Sequence, residues 1–217
     1  MTDKLLSIVQ KKYSLTEIDV GDMQRLKANG MTFVIKAYRA EGLGHISVMR
    51  ALGFFGLMKM DTLIINPKNI ELPLYSYDRI YAMGNDTLIV ELYDTLSGGC
   101  DLSALENVNN QYTDLVERDP GVHWYDSIKL PSSISKKGKK AQTERFDQFA
   151  IKHLSAYMDI NNKVESVEEK HRKAAYYVDG LLTNGGPSTD VFKKALGVEK
   201  TTELFRRVLF GTEGFLE

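Results

Sequence analysis

The strongest constraint on the fold lies in Glu71–Gly99, ELPLYSYDRIYAMGNDTLIVELYDTLSGG. Two runs rich in β-branched and aromatic residues, Leu72–Met83 and Thr87–Asp94, flank Gly84-Asn85-Asp86. Pro73 opens the first run and Gly98-Gly99 follow the second. Such runs, broken by a short Gly/Asn/Asp cluster, predict a β-hairpin. In the second strand a period of two puts Leu88, Val90, Leu92 and Asp94 on one face and Ile89, Glu91 and Tyr93 on the other. Both faces carry apolar residues, so the strand belongs inside a sheet covered by helices on both sides. Each face also holds one carboxylate, Glu91 or Asp94. A buried carboxylate is costly unless it is paired, hydrogen-bonded or protonated.

Around this hairpin the chain divides into a strand-rich part, 31–96, and a helix-rich part, 102–210. Residues 3–12 and 15–29 have helical patterns, the second ending at Asn29-Gly30, a C-cap signal. Thr32–Ala40, Ser47–Phe54 and Met58–Asn66 alternate as strands. With the hairpin they make five strands in succession joined by short links, which favours an antiparallel sheet. Leu102–Glu117, Thr143–Met158 and Val167–Leu182 carry helical spacing. Asn184-Gly185-Gly186-Pro187 ends the last of these, Ser188 caps Val191–Leu196, and Thr201–Phe210 closes the chain's helices. The polar run SSISKKGKK after Pro131 reads as an exposed loop. The expected architecture is a single α+β domain over 1–217, a central antiparallel sheet with helices on both faces (an α/β/α sandwich).

At 217 residues, 43% apolar and 26% charged, the chain can bury a full core. A net charge of −1 gives no sign of nucleic acid or a membrane surface as partner. The single Cys100 excludes an intramolecular disulfide and any Cys-rich cluster, which points to a reducing cytoplasm. MTDKLLSIVQKKY is amphipathic without a signal-peptide core, and the longest apolar region, Ala51–Met58, is short for a membrane span. No Walker loop and no Gly-x-Gly-x-x-Gly after a strand is present. His45, His123, His153 and His171 have no metal-ligand spacing. Hydrolase, kinase and nicotinamide readings therefore gain nothing from the sequence.

Three stretches together resemble the ferredoxin-dependent bilin reductases. The first is Pro73-Leu74-Tyr75-Ser76-Tyr77-Asp78 followed by a strand from Val90 to Asp94 and then Thr95-Leu96-Ser97. The second is His123-Trp124-Tyr125, leading through a basic loop to the helix Phe146–Tyr157. The third is HRKAAYYVDGLLTNGGPSTDVFKKALGVEKTTELFRRVLFG near the C-terminus. The resemblance runs in order over roughly residues 33 to 210. It departs from the family at Asn184-Gly185-Gly186, where the family's turn supplies Asn-Asp with an acid close to the substrate.

The resemblance implies reduction of a linear tetrapyrrole such as biliverdin with no metal and no bound cofactor, electrons coming from ferredoxin and protons from acids lining the pocket. Each added electron makes the pigment more basic, so the acid needs a raised pKa. Asp94, carried over by its position at the strand end, is the expected proton donor, in a pocket between the sheet and the C-terminal helices near Asn184. A simpler role for Asp94 is to cap the following turn. Glu91 is expected to face away as a structural acid. Asp78 matches the family motif, though it can also order the strands through hydrogen bonds. Tyr75, Tyr77, Tyr81 and Tyr93 can flank a flat pigment or simply pack. Arg50, Arg39 and Arg172 suit its propionates. Asn184 completes the expected substrate-binding set with Tyr75, Asp78 and Arg50. Lys136, Lys137, Lys139 and Lys140 form the one strong charge cluster, either a solvated loop or a docking patch for an acidic donor such as ferredoxin. The alternative to an enzyme is a protein of the same fold that holds a tetrapyrrole without turning it over.

Overall fold

The longest strands form where the period of two is cleanest. Met31–Ala40 (β3), Gly44–Gly53 (β4), Met58–Pro67 (β5), Leu74–Ala82 (β6) and Asn85–Tyr93 (β7) pair successively as an antiparallel meander. The structure, a computed structural model, describes residues 1–186 and 188–214. Pro187, read above as helping to end a helix, lies outside the described residues. The central hairpin turns on Met83-Gly84, one step earlier than the Gly/Asn/Asp cluster suggests. Both residues have positive φ, 49° and 79°, as a two-residue type I′ turn requires. Asn85 and Asp86 therefore already belong to β7.

Two segments depart from expectation. Residues 15–29 are not helical: Leu15–Ile18 (β1) and Arg25–Ala28 (β2), separated by a 3₁₀ turn at Gly21–Gln24, both pair with β3. In β2 Leu26 and Ala28 are buried while Arg25 and Lys27 are exposed, a period of two too short to stand out beside apolar positions that also suit a helix. The basic run expected as a loop forms Ile134–Lys139 (β8), the edge strand beside β7. Its outer side is covered by residues 116–118: the Arg118 N–H donates to Ser135 O and the Lys137 N–H to Val116 O, each at 2.9 Å.

Thr2–Gln10 (α1), Ser103–Asn109 (α2) and Thr143–Asp159 (α3) cover one face of the sheet. The helix expected over Leu102–Glu117 stops at Asn109 and continues as a 3₁₀ turn, Asn110–Tyr112. On this face Leu63, Tyr75, Leu88 and Val90 meet Leu5, Val9, Phe146 and Phe149. Each such side chain, fully buried, contributes about 1.5–3 kcal/mol. Val167–Asn184 (α4), Thr189–Leu196 (α5) and Val198–Glu203 (α6), with a π-helical continuation over Leu204–Leu209, cover the other face. There Phe33, Met49, Ile64 and Tyr93 meet Tyr177, Leu181, Phe192 and Phe205. The sandwich with helices on both faces is the one expected.

The π-helical end is held by the sheet. His45 Nε2 lies 2.8 Å from the Val208 carbonyl, Ser47 Oγ donates to Leu209 O at 2.7 Å, and Asn66 Nδ2 donates to Phe210 O at 2.7 Å. Burial lowers the His45 pKa to about 4, so the neutral ring donates here and His45 has a structural part.

Candidate active site

The register of β5, β6 and β7 builds the site. Thr62 stands opposite Asp78, Asp78 opposite Ile89, and Ser76 opposite Glu91. Asp78 and Glu91 are thus diagonal neighbours on one face, within reach of each other's charge. That face is the one under α4 and α5. Between sheet and helices lies a cavity of about 410 Å³ whose walls include Asp78, Glu91, Met49, Tyr177 and Phe205. Most of the wall is apolar, the usual make-up of a site for a small organic ligand. A wider depression of about 770 Å³ beside α4 and α6 is lined by Asp179, Glu199 and Arg206 and shares no residue with this cavity.

Within the cavity Asp78 accepts a hydrogen bond from Thr62 Oγ1 at 2.5 Å. Burial raises its pKa to about 6, the Thr62 bond opposes the rise and the charge of Glu91 adds to it. Asp78 has no cation partner among the described residues. Glu91 accepts from the Tyr93 hydroxyl at 2.6 Å, with Lys129 Nζ at 3.9 Å. Tyr93 stacks on Tyr177 with ring centres 3.9 Å apart and meets Tyr125 edge-on at 5.6 Å. Burial, then the neighbouring acids and phenols, holds the Tyr93 phenol well above its ordinary pKa. His123 lies flat on Tyr125, centres 4.8 Å apart. The Trp124 indole donates to Gly185 O at 3.0 Å, tying this aromatic loop to the end of α4. Gly180 makes room for it: a Cβ there would lie 2.0 Å from the Trp124 ring. Among the described lining residues Thr189 Oγ1 is buried with no hydrogen-bond partner, while His123 Nδ1 lies 3.9 Å from Asp126 Oδ1.

The expected site residues are only partly brought together. Asp78 lines the cavity. Asp94 does not: β7 ends at Tyr93, and Asp94 Oδ1 accepts from the Leu96 N–H at 3.1 Å and from Lys173 Nζ at 3.2 Å. It fills the turn-capping role, and Glu91, expected to face away, takes the cavity position. Tyr75 sits on the opposite face, its hydroxyl 3.2 Å from His153 Nδ1. Arg50 is also outside the cavity, bridging Asp3 at 2.6 Å and Asp61 at 3.5 Å. Asn184 is exposed at the end of α4, and Gly186 lines the cavity in its place. Lys136 is buried against Glu117 and Leu115 O. Lys137, Lys139 and Lys140 are exposed, with Lys139 bonded to Asn85.

Sequence reading missed Glu91, Thr62, Tyr125, Tyr177 and Thr189 as cavity residues. The period of two does link Thr62, Asp78 and Glu91 once strand register is known. No group of three or more His, Cys, Asp or Glu among the described residues is placed to hold a metal ion. No described helix is long and apolar enough to cross a membrane.

No protein-family model and no curated protein matches the chain. Among solved structures, phytochromobilin synthase from tomato, crystallised in complex with biliverdin, matches with a TM-score of 0.74 at 11% identity, over 100% of this chain and 85% of that one. The chain has the bilin reductase fold. The bilin reductase fold was expected from the three resembling stretches, and the eight-stranded sheet between two helix layers is its realisation here.

Proposed function

We propose that the protein binds a linear tetrapyrrole such as biliverdin in the cavity over Asp78 and Glu91 and reduces it. Electrons come from ferredoxin, as the family resemblance implies, and protons from Asp78. The observation that carries this reading is Asp78: an acid held at about 6 by burial, without a cation partner, in a cavity between the sheet and α4–α5. The fold is shared with a protein crystallised with biliverdin.

The chemistry balances with two electrons and two protons per double bond reduced. An incoming electron raises the basicity of the pigment. Asp78 then gives its proton to the pigment, and the carboxylate left behind keeps the Thr62 hydroxyl bond. Asp78 takes up another proton from solvent for the second transfer, and burial with the charge of Glu91 beside it keeps the Asp78 pKa raised. Lys137, Lys139 and Lys140 on and after the edge strand form the docking patch for an acidic donor. Lys136 is withdrawn from that patch by its burial.

Asp78→Asn tests the reading. Biliverdin binding, followed by absorbance, persists while turnover with ferredoxin and a reducing system falls by about 10²–10⁴-fold. Turnover equal to the wild type removes Asp78 from the mechanism. A second reading, pigment binding without reduction, is favoured by the loop at Asn184-Gly185-Gly186, which offers the cavity only Gly186 and no acid. A wild-type complex whose spectrum stays unchanged under reduction selects it.

A further inference from the structure

We propose that the first turn of α5, at Ser188 and Thr189, is an anion subsite that takes a carboxylate arm of the molecule held in the cavity. This builds on the reading of the cavity as a ligand site. Thr189 is 1% exposed, lines the cavity, and its Oγ1 has no hydrogen-bond partner. Buried hydroxyls are nearly always bonded, so one left unpaired on a residue that lines a cavity points to a partner supplied from outside. Unpaired hydroxyls also occur on Tyr77 and Tyr112, but those do not border this cavity.

The local electrostatics select a negative partner. Thr189 begins an eight-residue helix, and its N-cap, Ser188, makes no side-chain capping bond. The Thr189 amide donates to Gly186 O at 3.1 Å, and the partial positive charge of the helix N-terminus favours an anion there. Ser188 and Gly186 line the cavity beside Thr189. Asp190, the next residue of the helix, is exposed and is not part of the lining. On the sheet side stand Asp78 and Glu91, which repel a carboxylate. The cavity is thereby polarised, with acids on the sheet and an anion-accepting turn on the helices. Arg118 is the one Lys or Arg among the described lining residues, and its Nη1 is 3.4 Å from Ser135 Oγ. It is the competing anion site.

Two probe pairs test the subsite. One is biliverdin against its dimethyl ester. The other is 8-anilinonaphthalene-1-sulfonate against N-phenyl-1-naphthylamine, the same ring system without the sulfonate. The wild type favours the charged member of each pair it binds. Thr189→Val weakens the charged member by about 10–100-fold, the worth of a hydrogen bond to a charged group, and leaves the neutral member within about twofold. Thr189→Ser retains the charge preference. Without ligand, Thr189→Val melts no lower than the wild type, because the hydroxyl it removes is unpaired in the protein.

The proposal is overturned if both members weaken together, if neither does, or if Arg118→Ala alone erases the preference. A clear fall in the unliganded melting temperature of Thr189→Val also overturns it, since the hydroxyl would then be bonded within the protein. So does a wild type with no preference for, or no binding of, the sulfonate probe. A wild type that binds the sulfonate probe through Thr189 but not biliverdin removes the tetrapyrrole reading and leaves the subsite standing.

Discussion

Two inward-facing aspartates on adjacent strands of one sheet have opposite fates. Asp86 faces α3 and is gripped by Arg79 through two bonds of 2.5 and 2.7 Å, with Thr143 Oγ1 donating at 2.7 Å. Asp78 faces the cavity with a single hydroxyl partner, Thr62. Arg79 follows Asp78 directly in the chain, yet the strand's alternation sends it to the other face. Its charge serves Asp86 and leaves Asp78 uncompensated. A buried acid with a cation is part of the structure, and one without a cation keeps its proton to near neutral pH. The same division runs through the two layers. The α1–α3 face is filled by Phe146, Phe149, Tyr75 and Tyr157, whereas the α4–α5 face leaves a cavity lined partly with acids and phenols.

The comparison can be broken most sharply at Asp86. Asp86→Ala leaves Arg79 buried without its partner and costs about 3–5 kcal/mol of stability, measured by urea unfolding. A loss under about 1 kcal/mol means that Arg79 finds solvent or Asp147 instead. Asp78→Asn works in the other direction. The rise of the Asp78 pKa from 3.8 to about 6 means that the folded state holds an extra proton in that window, so wild-type stability falls as pH rises through it. The penalty reaches about 3 kcal/mol above pH 6. Asp78→Asn should therefore be about 3 kcal/mol more stable than wild type at pH 8, with the difference fading toward pH 4. A difference independent of pH contradicts the burial of an ionisable acid there.

Asp94→Asn sharpens the contrast between cavity and surface. Its pair with Lys173 is half-exposed and is worth about 0–1 kcal/mol, so the variant stays within that margin and keeps turnover within about twofold. A large loss of turnover without loss of folding returns the donor role to Asp94. The smallest stability effect belongs to Lys137→Glu, within about 0.5 kcal/mol. If the lysines dock an acidic electron donor, reduction by that donor slows at low salt and the difference closes as salt is raised. A salt-independent rate removes the patch from docking.

Much of the fold is legible because its causes are local. Turn residues and a period of two mark the five consecutive strands, and their short links leave antiparallel pairing as the natural outcome. The misread segments lack that local support. Leu15–Ile18 and Arg25–Ala28 are four residues each, and the lysine-rich Ile134–Lys139 looks like solvated chain until β7 offers it an edge. The site is less legible. Asp78 matches a family motif, whereas the family's acid at a strand end points to Asp94, which β7 leaves outside by ending at Tyr93.

By itself the sequence determined that Asp78 shares a face with Ser76 and Ile80, that Glu91 shares one with Ile89 and Tyr93, and that helices must cover both sides of the sheet. Those follow from the backbone's alternation and from the cost of exposing apolar strands. Only the tertiary structure decided which face holds the cavity. Alternation sorts side chains into two sets without saying which helices will close on each. Strand register then set Asp78 beside Glu91, and α4 and α5 brought Tyr177 and Thr189 over them from about a hundred residues away. Contacts at that sequence distance depend on packing among several elements at once, and no local pattern carries them.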